Sequence, residues 1–139
     1  MQLNITTDYA VRILVLLGIT GRVTSSGEIA EEMMIPANYV PNIIKKLRDR
    51  GLVNAKYGPK GGYELSKEPD AIPLLAVIET MEGAIRINRC NAEEGLCSKD
   101  ADIHGAVKDV YQDIQDKIES TFAVKTIADI IAKSAKSVK

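Results

Sequence analysis

The hydrophobic and polar positions of the chain separate most clearly around residues 38–49. Wound at about 3.6 residues per turn, they divide into an apolar arc and an arc of amide and charged side chains. The apolar arc comprises Tyr39, Val40, Ile43, Ile44 and Leu47, and the polar arc comprises Asn38, Pro41, Asn42, Lys45, Lys46, Arg48 and Asp49. Gly51 is expected to end this helix, because glycine tolerates the positive φ of a helix terminus.

A β-hairpin is predicted directly after this helix. Residues 52–56 have the pattern of a strand, residues 58–62 (GPKGG) that of a turn, and residues 63–66 that of a returning strand. A helix with an outward polar face, followed by a basic hairpin, is typical of a winged helix-turn-helix protein that binds DNA. The pattern therefore predicts a mainly α fold with a small β-hairpin wing.

Pro41 is compatible with this helix only near its start. If Asn38 is the N-cap, Pro41 is the third helical residue, where a backbone N–H would have no partner within the helix. The proline is therefore expected to fix the start of the helix near Asn38. The first polar side chains would then be held rigidly, as reading base edges from the end of a recognition helix requires.

Shorter helices are predicted on both sides of this unit. A first helix carries an apolar stripe over residues 10–17, and a second begins after a Ser25 or Ser26 cap and buries Ile29, Ala30 and Met33. After the hairpin, residues 74–81 form a short apolar helix that glycine ends.

A long amphipathic helix is predicted from Ile103 onward, because apolar residues recur every three or four positions for about five turns. This stripe comprises Ile103, Val107, Val110, Tyr111, Ile114, Ile118 and Phe122. A small domain cannot cover so long a stripe alone, which predicts a dimerisation helix. The alternative is a helix folded back on its own core. A last short helix at 127–132, capped by Thr126, and a frayed tail at 133–139 complete the prediction.

The distribution of charge marks the same central stretch. Residues 37–63 carry six lysines and arginines against one aspartate, a net charge of +5, whereas the whole chain of 139 residues carries −1. The remainder therefore carries −6. A basic block on an acidic body directs its field at one face. An ordinary solvated helix face is the alternative interpretation of the charge run.

Several other classes of protein are disfavoured. An enzyme is not expected, because the chain has no Walker loop, G-x-S-x-G or H-E-x-x-H motif, and only one histidine. An aromatic content of 4% argues against a base-stacking platform for single strands. The longest apolar run, 11–19, contains Arg12 and is too short to span a bilayer. With two cysteines and no secretory signal, a cytoplasmic location without a membrane partner is expected.

Short motifs along most of the chain carry a family resemblance. They are TDYAVR at 7–12, IP at 35–36, LR at 47–48, GLV at 51–53, GPKGGY at 58–63, IE at 78–79, EG at 82–83 and TIAD at 126–129. With them the chain resembles the Rrf-two family of bacterial winged-helix regulators, which includes IscR-like, NsrR-like and CymR-like proteins. The expected organisation is a winged helix-turn-helix domain at 1–83, a cysteine loop at 84–102, and the dimerisation and C-terminal helices at 103–139.

The resemblance implies a transcriptional regulator, expected to be a repressor, that binds double-stranded DNA as a homodimer. Each recognition helix would enter a major groove of a two-fold-related operator, and each wing would lie at an adjacent minor groove. Asn38, Pro41 and Asn42 occupy the base-reading places, and Tyr57 stands where some members have a minor-groove arginine. Lysines of the helix and wing are assigned to phosphates. The remaining residues of the expected interface are Lys45, Lys46, Lys56, Lys60, Ser26, Tyr39 and Arg48.

The resemblance also raises the question of a cofactor, because many members bind an iron–sulfur cluster through three cysteines. Here Cys90 and Cys97 are present, but Ala101 stands at the third place. Two thiolates are too few for a 2Fe-2S or a 4Fe-4S cluster. His104 and the partner subunit's Asp8 match ligand positions of the family, and they would bring the number of metal ligands to four.

The cysteine loop is also compatible with regulation that needs no cluster. Cys90 and Cys97 could form a redox-sensitive disulfide, since Gly95 makes the loop between them adaptable. A chain without a cluster could instead be regulated by a protein partner or a small molecule. For the whole chain, the alternative to a regulator is a winged-helix protein-interaction module that binds no DNA.

Overall fold

The structure is a computed structural model that describes residues 2–85, 87 and 101–137. The mainly helical fold with one β-hairpin is confirmed. The described helices are α1 (Ile5–Thr20), α2 (Ser26–Met33), α3 (Val40–Asp49), α4 (Leu74–Glu82), α5 (Ala101–Val124) and α6 (Ile127–Ser137), and the strands are β1 (Val53–Lys56) and β2 (Gly62–Leu65).

The hydrophobic core is built around α1, which contacts α2, α3, α4, α6 and β2. Its apolar side chains at residues 13–17 are almost completely buried, and they meet apolar side chains of the other elements. Those side chains include Ile29, Ile43, Leu47, Val77 and Ile127. Because α2, α3, α4 and α6 each place at least one of them in this core, the first helix determines where these four helices sit.

The turn between α2 and α3 corrects one prediction. Ser25 caps α2 as expected, its Oγ accepting from the backbone N–H of Glu28 at 3.2 Å. The chain then forms one 3₁₀ turn at Ala37–Tyr39, so α3 begins at Val40 and Asn38 is not its N-cap. Pro41 is accordingly the second helical residue rather than the third. Its missing N–H is still one that an α-helix leaves unpaired.

The hairpin is present with slightly different bounds from those predicted. β1 and β2 pair antiparallel, with Val53 opposite Leu65 and Lys56 opposite Gly62. A further pair of hydrogen bonds joins Thr24 and Tyr63, whose backbone groups exchange N–H···O bonds of 2.8 Å in both directions. The wing is therefore attached to the segment that precedes α2, and not only to its own two strands.

The C-terminal half also departs from the prediction at its ends. α5 begins at Ala101, two residues earlier than expected, and α6 continues to Ser137 through the stretch predicted to fray. Ile130 and Ile131 of α6 pack against the core. The predicted loop at 84–102 and its cysteines, Cys90 and Cys97, lie largely outside the described residues.

Candidate nucleic-acid interface

The central helix α3 has one buried and one exposed face, as its sequence pattern predicts. Val40, Ile43, Ile44 and Leu47 are no more than 2% exposed. Tyr39 departs from the predicted apolar arc, since it precedes the helix and is 38% exposed. The helix ends before Gly51, whose φ is 74°. The polar arc is thus free to meet a partner.

The expected DNA-binding residues share one property, which is that each is exposed. They are Ser26, Asn38, Tyr39, Pro41, Asn42, Lys45, Lys46, Arg48, Lys56, Tyr57 and Lys60. Asn38 and Tyr39 lie in the 3₁₀ turn before α3, five others lie on α3, Ser26 begins α2, and the rest belong to the hairpin. Their roles as base or phosphate contacts stay predictions.

Two grooves flank the exposed ridge of α3. One, of about 440 Å³, is lined by side chains of α3 and Tyr39, together with Thr6 and Met81. The other, of about 540 Å³, lies between α3 and β1, and its lining includes Lys45, Arg48 and Lys56. A helix that projects between grooves can enter the major groove of DNA without its own neighbours clashing with the backbone.

One side-chain hydrogen bond links the wing to α3. Arg48 of α3 donates from Nη2 to the hydroxyl of Tyr57 at 3.2 Å, and Tyr57 is otherwise highly exposed. Gly62 permits the wing to approach the preceding segment, because a Cβ there would lie 2.4 Å from the carbonyl oxygen of Thr24. The structure therefore brings the helix and wing members of the expected interface together.

The start of α2 forms a third edge of this surface. A groove of about 290 Å³ lies between Ser26 at the start of α2 and the wing residues Lys56 and Tyr57. Nearby, Arg22 donates two hydrogen bonds to Glu28, at 3.2 and 2.6 Å. These bonds lower the pKa of the Glu28 carboxyl below its ordinary value. The carboxylate therefore stays charged in the first turn of α2, where it complements the helix dipole.

Sequence reasoning missed Asn54, which lines the groove between α3 and β1. It lies on the outward side of β1, because its neighbour Val53 is buried and side chains alternate along a strand. That alternation was the signal that could have identified Asn54. Its amide offers both a donor and an acceptor next to the basic residues.

The expected metal ligands are not brought together in the described part of the chain. Asp8 lies in the first turn of α1, where its carboxylate is ion-paired with Arg12 at 2.9 Å. His104 falls within α5, but its side chain, like both cysteines, lies outside the described residues. Among the residues that are described, no group of three or more His, Cys, Asp or Glu side chains could hold a metal ion. No cluster site can therefore be built from the described residues.

The apolar stripe of α5 is divided between two environments. Ile118 and Phe122 are partly buried, and α5 contacts α4. At about 100° per residue, the other edge of the stripe points away from α4. Ile103, Val107, Val110 and Ile114 on that edge are 42–69% exposed. An open apolar groove of about 390 Å³ continues this edge from Ile114 toward Phe122.

No helix in the described ranges is long and apolar enough to cross a membrane.

Comparison with known proteins identifies the family. The sequence profile of the Rrf2 (Rrf-two) family, described as an iron-dependent transcriptional regulator, matches residues 3–133. An HTH-type transcriptional regulator assigned in Aquifex aeolicus is 32% identical over 127 residues, which cover 91% of this chain and 88% of that protein. IscR of Yersinia enterocolitica is 30% identical over 104 residues, covering 75% of this chain and 62% of that protein. These relatives are named as regulators and not as enzymes.

Solved structures show the same fold. CymR, the global cysteine regulator of B. subtilis, superimposes with a TM-score of 0.79 at 24% identity, covering 96% of this chain and 98% of that one. IscR of T. potens gives a TM-score of 0.77 at 24% identity, covering 99% and 90%. The family profile spans nearly the whole chain, and the exposed face of α3 and the wing have the arrangement that a winged-helix DNA-binding protein needs. The chain therefore belongs to the Rrf2 family of winged-helix transcriptional regulators.

Proposed function

We propose that this chain is a homodimeric repressor that binds a two-fold-related DNA operator through α3 and the wing. The observation that carries the proposal is the exposed polar face of α3, which stands between two grooves with the basic wing beside it. Residues 1–83 form the DNA-binding unit, and residues 103–139 form the dimerisation and C-terminal helices, of which the open apolar edge of α5 provides the dimer contact. Asn38, Pro41 and Asn42 read bases, and the lysines of the surface bind phosphates.

The test of DNA binding is a charge reversal on α3. In the variant Lys45→Glu/Lys46→Glu, two exposed cations become anions on the proposed DNA face, so duplex binding should be lost. The matched control is Lys108→Glu/Lys125→Glu, which makes the same change at two exposed positions outside α3 and the wing. Affinity is measured by fluorescence anisotropy with a duplex selected from a random pool. Equal loss in both variants, or none in either, would contradict the assignment of α3 as the DNA face. A wild-type chain that selects no duplex from the pool would favour a protein-interaction module that binds no DNA.

The partner of the open stripe on α5 is a second copy of this chain. Its apolar residues repeat over more than three turns, and a two-fold pair of such helices would cover both stripes. Ile114→Glu places a charge in the stripe and should give a monomer in analytical ultracentrifugation. Gln112→Glu introduces the same residue at an exposed position on the opposite side of α5 and should leave the dimer intact. A dimer in both variants contradicts this assignment.

Repression follows from the position of the dimer on DNA, where it excludes polymerase from an overlapping promoter. The direct measurement is in vitro transcription from a promoter that contains the selected site. Added protein should lower transcript yield, and Lys45→Glu/Lys46→Glu should not. A rise in yield identifies an activator instead.

The signal is received at Cys90 and Cys97. Only one of the four ligands that a cluster would use, Asp8, has a described side chain, and that carboxylate is already ion-paired with Arg12. An iron–sulfur cluster held near Cys90 and Cys97 would change the local charge when it is oxidised, reduced or lost. Protein purified without oxygen distinguishes the chemistries: visible charge-transfer bands indicate a cluster, and a colourless protein with titratable thiols indicates a disulfide switch. Unchanged operator affinity in Cys90→Ala/Cys97→Ala under all conditions would exclude either kind of sensor.

A further inference from the structure

Gln115 is a buried amide on α5, the long amphipathic helix. The residue is 1% exposed, although polar and charged residues that are exposed flank it in the sequence of α5. Burying an amide without hydrogen-bond partners is unfavourable, because the group loses its hydrogen bonds to water. A glutamine is therefore expected at such a position only if it makes specific hydrogen bonds.

The amide of Gln115 holds the segment that leaves α4. The backbone N–H of Ile87 donates to Oε1 at 3.1 Å, and Nε2 donates to the carbonyl oxygen of Ile85. Nε2 also donates to Oε1 of Glu119, one turn further along α5, at 2.7 Å. Both ends of the amide are thus used, and Glu119 fixes the rotation of the side chain.

A second attachment holds the far end of α5. The backbone N–H of Leu74, the first residue of α4, donates to the carbonyl oxygen of Lys125 at 2.8 Å. Ile127 donates to Ile72 at 3.0 Å beside it. Gln115 and Lys125, the residue that follows α5, are about 15 Å apart at a rise of 1.5 Å per residue, close to the length of α4. The long helix is therefore fixed to both ends of α4, and two points of attachment define a direction.

The part of α5 that precedes Gln115 extends beyond the attachment at Gln115. It runs from Ala101 to Ile114, about 21 Å at the same rise per residue, and carries Ile103, Val107 and Val110 of the open stripe. A tilt of about 10° at Gln115 would move the tip by roughly 4 Å over that length. That displacement is about the rise of one base pair, 3.4 Å.

We propose that Gln115 is a positioning residue that sets the distance between the two recognition helices of the dimer, and so the half-site spacing that the regulator accepts. The inference rests on the proposed homodimer. α4 contacts both α3 and α5, so the angle held by Gln115 is transmitted to α3 through packed helices. A dimer binds two half-sites only when their spacing matches the separation of its reading helices.

The experiment measures spacing selectivity in the full chain. The probes are duplexes that carry two inverted copies of the half-site recovered by wild-type protein from a random pool, at the recovered spacing or one base pair longer or shorter. Wild type should prefer its own spacing by about tenfold, equivalent to about 1.4 kcal/mol. Gln115→Met, which keeps the length of the side chain but not its hydrogen bonds, should reduce that preference to less than about threefold.

The controls separate this role from folding. Gln112→Met makes the same substitution at an exposed position one turn earlier and should keep the wild-type preference. Affinity for a duplex with one half-site and the mass of the dimer should be unchanged in Gln115→Met. If that variant does not fold, Gln115→Asn, which keeps an amide that is too short to reach Ile87, carries the test.

The outcomes are distinct. A folded, dimeric Gln115 variant with the wild-type spacing preference overturns the inference. Failure of both variants to fold as dimers overturns it too, because Gln115 would then serve stability rather than direction. A wild-type chain that is monomeric, or that recovers only single half-sites, contradicts the proposed homodimer itself. That result is read from wild type alone.

Discussion

Single side chains on α1 shape the start of the recognition helix. The guanidinium of Arg12, besides pairing with Asp8, lies 5.8 Å from the centroid of the Tyr9 ring and donates to the carbonyl oxygen of Met33 at 3.4 Å. The Tyr9 ring meets Tyr39 edge-on, with centroids 5.5 Å apart. Because Tyr39 is the last residue before α3, this contact gives the helix start a packing partner on α1.

Met34 is the residue at which one substitution should stabilise the chain. It is the non-glycine residue of the described ranges with a positive φ, 55°, and its side chain is 84% exposed. The left-handed conformation costs an L-residue roughly 1–2 kcal/mol. Replacement by glycine removes this strain but costs about 0.5–1 kcal/mol, because glycine loses more chain entropy on folding. We expect Met34→Gly to raise the free energy of unfolding by about 0.5–1 kcal/mol in urea denaturation.

Gly21 provides the reciprocal control for this prediction. It ends α1 with a φ of 60°, nearly that of Met34, and a Cβ added there would meet nothing within 4 Å. Gly21→Met should therefore lower the free energy of unfolding by about 0.5–1 kcal/mol, because the added backbone strain exceeds the gain in chain entropy. A change of the same sign at both positions would contradict the account.

At the scale of elements, α3 and the hairpin could be predicted because their signals are local. The helical period of α3 and the glycines of the turn between β1 and β2 act within a few residues. The start of α3 was misplaced because a 3₁₀ turn and an α-helical turn have similar patterns over three residues. The length of α6 was underestimated because residues 133–137 (KSAKS) contain no large apolar side chain, and so no helical period that would mark its last turns.

The division of the α5 stripe and the burial of Gln115 could not be predicted from the sequence. A glutamine beside Ile114 on an amphipathic helix has the pattern of a solvent-facing residue. Its burial depends on Ile85 and Ile87, about thirty residues earlier in the chain. Periodicity along one helix carries no information on which backbone groups of another segment will face it.

The start of α6 carries a testable capping arrangement. Asp129 Oδ2 accepts from the backbone N–H of Thr126 at 2.8 Å, and the backbone N–H of Asp129 donates to Thr126 Oγ1 at 3.3 Å. This reciprocal pair satisfies two N–H groups at the helix terminus. We expect Thr126→Ala or Asp129→Ala to lower the free energy of unfolding by about 1 kcal/mol, measured in urea.

A surface acid on α5 is the control for this cap. Asp113 forms an exposed ion pair with Lys117 at 3.1 Å, so Asp113→Ala should cost no more than about 0.5 kcal/mol. Because the two capping bonds depend on each other, the double variant Thr126→Ala/Asp129→Ala should lose less than the sum of the single losses. Strict additivity would argue that the cap is not a coupled unit.

At the scale of the whole molecule, α4 connects the two surfaces that the proposed function needs. It contacts α1, α3 and α5, so the DNA-binding face and the open stripe of α5 belong to one packed body. The +5 charge of residues 37–63 is concentrated at one of these surfaces, while the rest of the chain is acidic. A dimer would carry two such basic faces, so each lysine that contacts a phosphate should contribute two contacts to the complex, one from each subunit.

The salt dependence of operator binding measures the number of phosphate contacts. Each phosphate contact contributes about 0.9 to the slope of log K against log salt concentration. Lys45→Ala removes one proposed contact from each subunit, so the slope should become shallower by about 1.8 in a symmetric dimer. Asn42→Ala, at a neighbouring exposed position, should leave the slope unchanged and weaken discrimination between base pairs by about 1–3 kcal/mol. A slope change of about 0.9 for Lys45→Ala would mean that Lys45 contacts a phosphate in only one of the two subunits. A shallower slope for Asn42→Ala would assign that amide to the backbone instead of the bases.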